Sequence, residues 1–354
     1  MPPPSTPLWI VTGAAGLLGN NLVRELLSRG HRVRACVREG DPPSALAGLD
    51  CETVTLDVTD LGSVTSAFSH PRGLEAWVVH CAGIVSIAGR ISSRVREVNV
   101  GGTRNVLQAC RRTGVNRLAY ISSVHAIPEP DPPRLITELD RAADFDPDLV
   151  VGEYAKTKAE ATASVLAADD LWRVVVHPSG IIGPNDHADT HLTRLVRDAS
   201  TGRLTSVVRG CYDFVDVRDV VAGTLAAIEH GRNGRTYILS GHRMSVAELV
   251  NGILGALGRR RRPTVLPMWF AKLTAPLAEA FYRIRGTAPL YTSYSLYTLE
   301  SPCDFSHERA SAEFGYHPRP MSETLNDTVT WLASNPQHPG LRAPESESSS
   351  DPPV

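Results

Sequence analysis

A chain of 354 residues, 42% of them hydrophobic, is long enough to bury a large core and too apolar to be disordered as a whole. Its formal net charge of -2 provides no broad attraction for a polyanion, which argues against nucleic acid as a partner. Six scattered cysteines, Cys36, Cys51, Cys81, Cys110, Cys211 and Cys303, contain no CxxC pair, so they fit reduced thiols in a cytoplasm better than a disulfide framework or a zinc site.

The proline-rich start, Met1 to Pro7, runs straight into the apolar strand Leu8 to Thr12 and lacks the basic head, long apolar stretch and cleavage site of a signal peptide. No segment is apolar enough for a transmembrane span. Strands are predicted at Trp9 to Val11, Arg32 to Val37, Thr53 to Leu56, Ala76 to His80 and Arg117 to Ser122; helices at Gly16 to Ser28, Leu61 to Phe68 and Arg94 to Arg112. Strict alternation of strand and helix demands crossover connections, which make a parallel sheet covered on both faces. The expected fold is therefore a doubly wound α/β domain.

A loop from Pro128 to Leu149, with five prolines, leads to a helix at Tyr154 to Ala168 and a strand at Trp172 to His177. Beyond Pro184 the pattern mixes short elements: helix at Asp216 to His230, strand at Thr236 to Leu239, and helix at Ser245 to Leu257, capped by Ser245. The expected division is a dinucleotide-binding domain over 8–183, completed by part of 214–240, a smaller discontinuous substrate lobe over 184–335, and a disordered tail over 336–354, where Pro, Ser and Glu dominate.

The first strand is followed by Thr12, Gly13, Ala14, Ala15, Gly16, Leu17, Leu18 and Gly19, then a helix. Glycines there let the backbone turn tightly and approach a pyrophosphate, whose charge sits on the amides and positive dipole end of the new helix. The TGxxGxxG spacing resembles that of the extended short-chain dehydrogenase/reductases. Later segments agree in order: Asp57-Val58 resembles the pair that contacts adenine, Cys81-Ala82-Gly83 stands where the family has Asn-Ala-Gly, and Asn99-Val100-Gly101-Gly102-Thr103 resembles the helix with a structural asparagine. His177-Pro178-Ser179-Gly180-Ile181-Ile182-Gly183-Pro184 is similar to the family's RPxxxxGP loop, whose backbone, at Pro178 and Ile181, would contact the carboxamide; His177 replaces the usual arginine and no catalytic role is expected of it. Phe214 to Val220 matches a further, mainly structural signature, so the resemblance spans residues 8 to 333.

An acidic residue at the end of the second strand would hold the ribose hydroxyls of NAD. Here Val37-Arg38 stands in its place, and a cation there suits the extra phosphate of NADP, with Arg34 as a helper; NAD(H) stays open as the alternative.

Tyr154 and Lys158 lie one turn apart on one helix face, in a chain whose only lysines are Lys156, Lys158 and Lys272. A phenol with a pKa near 10 exchanges protons poorly at neutral pH unless a cation stabilises the phenolate, and Lys158 can supply one. The resemblance implies that this lysine also holds the nicotinamide ribose and that a serine ending the fifth strand binds the substrate oxygen. Alignment with related "TSSA" segments selects Ser123, with Ser122 on the other side of the strand.

Sugar-nucleotide epimerases and dehydratases share these motifs and are the alternative enzyme reading. Their Arg-Asp diphosphate anchor is replaced by Tyr212-Asp213, and the asparagine after the sixth strand is missing. The aromatic-rich segment Met268 to Tyr297 (Trp269, Phe270, Leu273, Leu277, Phe281, Tyr282, Leu290, Tyr291, Tyr294, Tyr297) would suit a hydrophobic ketone, as in the dihydroflavonol-reductase and 3β-hydroxysteroid-dehydrogenase branches that the chain resembles, although such residues equally serve as core of the small lobe. A non-catalytic NADP-sensing regulator is a third reading, opposed by the complete Ser, Tyr and Lys set. No metal is expected, and assembly as a homodimer stays open.

Overall fold

The computed structural model describes residues 6–85, 93–259, 262–275 and 293–335. The predicted tail at 336–354 and the side chains of Leu277, Phe281, Tyr282, Leu290 and Tyr291 fall outside them.

The apolar runs assemble into one sheet of seven parallel strands: β1 (Leu8–Thr12), β2 (Arg32–Val37), β3 (Glu52–Thr55), β4 (Ala76–His80), β5 (Arg117–Ile121), β6 (Arg173–Pro178) and, from much later in the chain, β10 (Thr236–Leu239). Their spatial order is β10-β6-β5-β4-β1-β2-β3. Strand order therefore reverses between β1 and β4, and this is where a doubly wound sheet opens a crevice at its carboxyl edge. Both faces of the sheet are covered, which is why β1 and β6 are buried at every position rather than alternating.

Helices α1 (Leu17–Ser28) and α7 (Val217–His230) pack on one face through Leu22, Val23, Leu26, Leu225 and Ile228. Helices α2 (Leu61–Phe68), α4 (Thr103–Thr113) and α5 (Glu153–Leu166) cover the other through Val64, Phe68, Val106, Ala159 and Val165.

The helix predicted from Arg94 to Arg112 is not uniform. A short α3 (Ser93–Arg96) passes into a π-helical turn over Glu97–Gly102 before α4 begins. Asn99 sits in this wider turn and its amide accepts from the Ile84 N–H at 2.8 Å and donates to the Ile84 carbonyl at 3.0 Å, so it holds the strand-end loop that follows β4. Such bulges commonly mark functional positions.

The remaining short strands build two small sheets: β7 (Gly180–Ile182), β9 (Cys211–Asp216) and β11 (His242–Ser245), then β8 (Ser206–Val208) with β12 (Thr264–Leu266). Val196 of α6 (His191–Ser200) joins Phe214, Leu249, Ile253 and Leu325 in a separate apolar cluster among them. The predicted cap Ser245 forms a reciprocal capping box with Glu248 at the start of α8 (Val246–Ala256), and Asp216, expected inside its helix, instead caps α7 by accepting from the Arg218 N–H at 2.7 Å.

Candidate cofactor and active site

The turn from β1 into α1 is dictated by its glycines. Gly13 has φ +67°, and a Cβ there would stand 2.9 Å from the backbone of Ala82 on the neighbouring loop. A Cβ on Gly19 would meet the Gly13 carbonyl at 2.2 Å, so the first turn of α1 lies directly against the loop. No side chain caps α1 at Gly16, which leaves its first-turn amides, those of Leu17, Leu18 and Gly19, for an anionic ligand. The Thr12 hydroxyl accepts from the Ala82 N–H at 3.1 Å and bonds the His80 ring at 2.8 Å, tying this loop to Cys81-Ala82-Gly83. A pyrophosphate approaching the backbone fits this cradle, where side chains would fill it.

Around it, Asp57 is held by Thr59 and by an ion pair with Arg94 at 3.5 Å, and the hydrogen bonds from Thr59 lower its carboxyl below the usual range. Val58 packs under Gly102, and its carbonyl accepts from Asn105 at 2.9 Å. Arg38 follows β2 directly; its guanidinium is exposed and paired only loosely with Asp41, at 3.6 Å. Arg34 corrects the expectation of a second phosphate ligand: its guanidinium clamps the carbonyls of Ala67 and Ser69 at 2.8 and 2.7 Å and pairs with Glu52. It fastens the end of α2 instead.

Ser123, Tyr154 and Lys158 all lie buried around the carboxyl end of β5. The Ser123 hydroxyl caps the short turn Val124–Ala126 by accepting from the His125 N–H, and it also bonds the Tyr154 phenol. Ser122 points the other way and bonds Thr162 on α5 at 2.7 Å. The Lys158 ammonium donates to the Ile121 carbonyl at 2.8 Å and lies 5.0 Å above the Tyr120 ring. Burial pushes the Tyr154 phenol up to about 12, against the Ser123 hydrogen bond, and pushes Lys158 down to about 8. Pro178 ends β6, and Ile181 lies in β7, whose strand partner is β9.

Four residues join the site without a recognised sequence motif for these contacts. His177 is fully buried, donates from Nδ1 to the Ser123 carbonyl at 3.0 Å and stacks on Phe145 with rings 5.4 Å apart. His125 bonds the Tyr212 hydroxyl at 2.7 Å and stacks on that ring, and Tyr294, on α9 (Ser293–Glu300), lies 6.4 Å from the same imidazole. Beside them opens a pocket lined by Val124, Ile127, Ile136, Leu149, Val150 and Phe305, with Glu129 and Tyr297 hydrogen-bonded at 3.1 Å. Of the aromatic-rich segment, Tyr294 and Tyr297 reach this region, whereas Trp269, Phe270 and Leu273 are exposed. Among the described residues no His, Cys, Asp or Glu cluster could hold a metal, and no helix is long and apolar enough to cross a membrane.

The sheet order and the glycine turn define the class, a Rossmann fold built to hold a dinucleotide. A profile of the NAD dependent epimerase/dehydratase family matches residues 9–240. Sterol demethylase protein B of Methylococcus capsulatus is 33% identical over 329 residues, 91% of this chain and 97% of that protein. The 2-alkyl-3-oxoalkanoate reductase of Stenotrophomonas maltophilia is 33% identical over 327 residues, 88% of this chain and 94% of that one. The crystal structure of gox2253 superposes with a TM-score of 0.77 at 27% identity, covering 95% of this chain and 99% of that one. The chain belongs to the NAD dependent epimerase/dehydratase family, within the extended short-chain dehydrogenase/reductases, and is an NAD(P)-dependent oxidoreductase.

Proposed function

We propose that this enzyme interconverts a ketone and a secondary alcohol on a hydrophobic small molecule, prefers NADP(H), and uses Ser123, Tyr154 and Lys158 as its catalytic residues. The observation that carries the reading is the buried Ser123–Tyr154 hydrogen bond with Lys158 one helical turn further on, next to His125 and Tyr212 of a pocket whose lining is mixed, with Ile127, Ile136, Val150 and Phe305 as its apolar part. The names of the sterol demethylase and alkanoate reductase relatives add support for an apolar substrate.

The dinucleotide, when bound on the β1–α1 turn, supplies or accepts the hydride. Ser123 holds the carbinol oxygen, and Tyr154 delivers its proton to that oxygen or removes it. A buried phenolate is costly, and the Lys158 cation offsets that cost while it stays protonated. His177 acts on the other side of Ser123 by fixing its carbonyl. Arg38 is the residue free to meet a ribose phosphate.

The test is a panel of hydrophobic ketones, with NADPH and NADH followed by absorbance, beside UDP-hexoses followed by product epimers. Ketone-dependent oxidation of NADPH is expected. Epimerisation of a UDP-hexose with no net cofactor turnover would overturn the reading.

A further inference from the structure

Two glycines beside the catalytic residues make room for two tyrosine rings from elsewhere in the chain. A Cβ on Gly152, which has φ +93° and lies two residues before Tyr154, would fall 2.0 Å from the Tyr294 ring. A Cβ on Gly180, two residues beyond Pro178, would fall 2.8 Å from the Tyr212 ring. Both rings converge on His125, which itself stands two residues beyond Ser123. The cluster is therefore anchored at three separate points, two beside the proposed catalytic residues Ser123 and Tyr154 and one beside Pro178.

Its polar atoms are not all used internally. Tyr212 and His125 satisfy each other at 2.7 Å, but the Tyr294 hydroxyl is buried with no hydrogen-bond partner among the described residues. A buried hydroxyl without a partner is unfavourable, and in a binding site it is satisfied when a ligand arrives. Both phenols lie close enough to Tyr154 to be raised by its charge, in each case after burial as the larger cause. Burial also holds His125 down to about 4, so the cluster is electrically neutral near pH 7.

We infer that the Tyr212–His125–Tyr294 cluster binds a second, neutral oxygen of the substrate, near the reacting ketone, and so selects apolar ketones that carry an ester, a hydroxyl or a second carbonyl. This rests on the proposed ketone reduction at Tyr154. A carboxylate is disfavoured: the adjoining pocket carries Glu129, and its described lining contains no lysine or arginine. Lys156 is engaged with Asp148, and Lys158 with the Ile121 carbonyl.

The experiment compares ethyl 2-methyl-3-oxobutanoate with 3-methyl-2-heptanone, which has the same chain length without the ester oxygens, and with the free 2-methyl-3-oxobutanoate anion. With saturating NADPH, the wild type should favour the ester over the monoketone by roughly five- to tenfold in kcat/KM, the scale of one neutral hydrogen bond. The anion should be the poorer of the two acyl compounds. Tyr294→Phe, and separately Tyr212→Phe, should collapse the ester-to-monoketone ratio towards one. Equal use of ester and monoketone by the wild type, or a ratio that survives in both variants, overturns the inference while leaving ketone reduction intact. Preference for the anion overturns the neutral class. Failure to reduce any ketone removes the proposed function and the inference with it.

Discussion

At the scale of single residues, the site separates groups that look interchangeable in sequence. Ser122 and Ser123 are adjacent hydroxyls at a strand end, yet one bonds Thr162 inside the fold and the other bonds Tyr154. Strand alternation set the two on opposite sides beforehand, and the resemblance to "TSSA" segments picked Ser123 between them. Tyr154→Phe removes the proposed proton donor while keeping the ring, so turnover should fall by about 10² or more, the scale of general acid–base catalysis, with NADPH affinity nearly unchanged. Steady-state kinetics and a cofactor titration check this, and a fully active variant would sink the role. Arg38 is exposed and only loosely paired, so it can reach a phosphate without first breaking a strong contact. Arg38→Ala should raise the KM for NADPH about ten- to a hundredfold more than that for NADH, the range of a charge-assisted hydrogen bond, and adding Val37→Asp should favour NADH further. A wild-type preference for NADH would remove the argument.

At the scale of elements, the turn from β1 to α1 works because nothing protrudes from it. Gly19→Ala would force a Cβ into the Gly13 carbonyl, so α1 must shift or tilt and the amide cradle opens. The variant should bind NADPH at least about tenfold more weakly and lose about 1–3 kcal/mol of stability. Fluorescence titration and thermal unfolding test this, and normal binding would show that the close approach is not needed. The strands were readable because most are short runs dominated by apolar residues and bounded by turns, with charged residues confined mainly to β2, β3 and strand ends, and the parallel arrangement followed from the helices between them. The π-turn at Glu97–Gly102 was not readable, since one extra residue in a helical turn leaves the apolar spacing almost unchanged. Arg34 was misread because a strand residue's side chain is assigned by its neighbours in the sheet, here the end of α2. The Gly152–Tyr294 and Ser123–His177 contacts join residues 142 and 54 positions apart, and no local periodicity reports which loops meet.

At the scale of the whole molecule, the polar interior around the sheet ties stability to pH through three histidines. His80 bonds Thr12 and Thr103, His177 holds the Ser123 carbonyl, and His125 pairs with Tyr212, so each sits at a junction between distant segments. Burial is the main reason that their pKa values fall, to about 3 for His80 and about 4 for His125 and His177, with the Lys158 charge adding to the first and last. The unfolded chain would take up protons near 6.5 while the folded chain stays neutral. A depressed folded pKa gives stability that is fully present above 6.5 and is lost as the pH falls through the window from 6.5 to 4. At pH 5 each histidine forfeits about 2 kcal/mol, and the three together about 6, a large share of the roughly 5–15 kcal/mol that holds a folded protein. Asp57, Asp140 and Asp216 are held below the usual carboxylate range and act mainly below about pH 4, whereas His191 and His307, lowered by burial, add to the same loss and Glu138 and Asp213, raised by burial, oppose it. The thermal midpoint should therefore drop steeply between pH 6.5 and 4.5, with a net uptake of protons on unfolding at pH 5 to which these three histidines contribute about three, measurable by calorimetry in buffers of different ionisation enthalpy. His177→Phe should remove about one of those protons and flatten the slope in proportion. A midpoint that stays level from pH 7 to pH 5 would mean that these imidazoles are protonated in the folded state, and the neutral hydrogen-bonded junctions described for them would have to be abandoned.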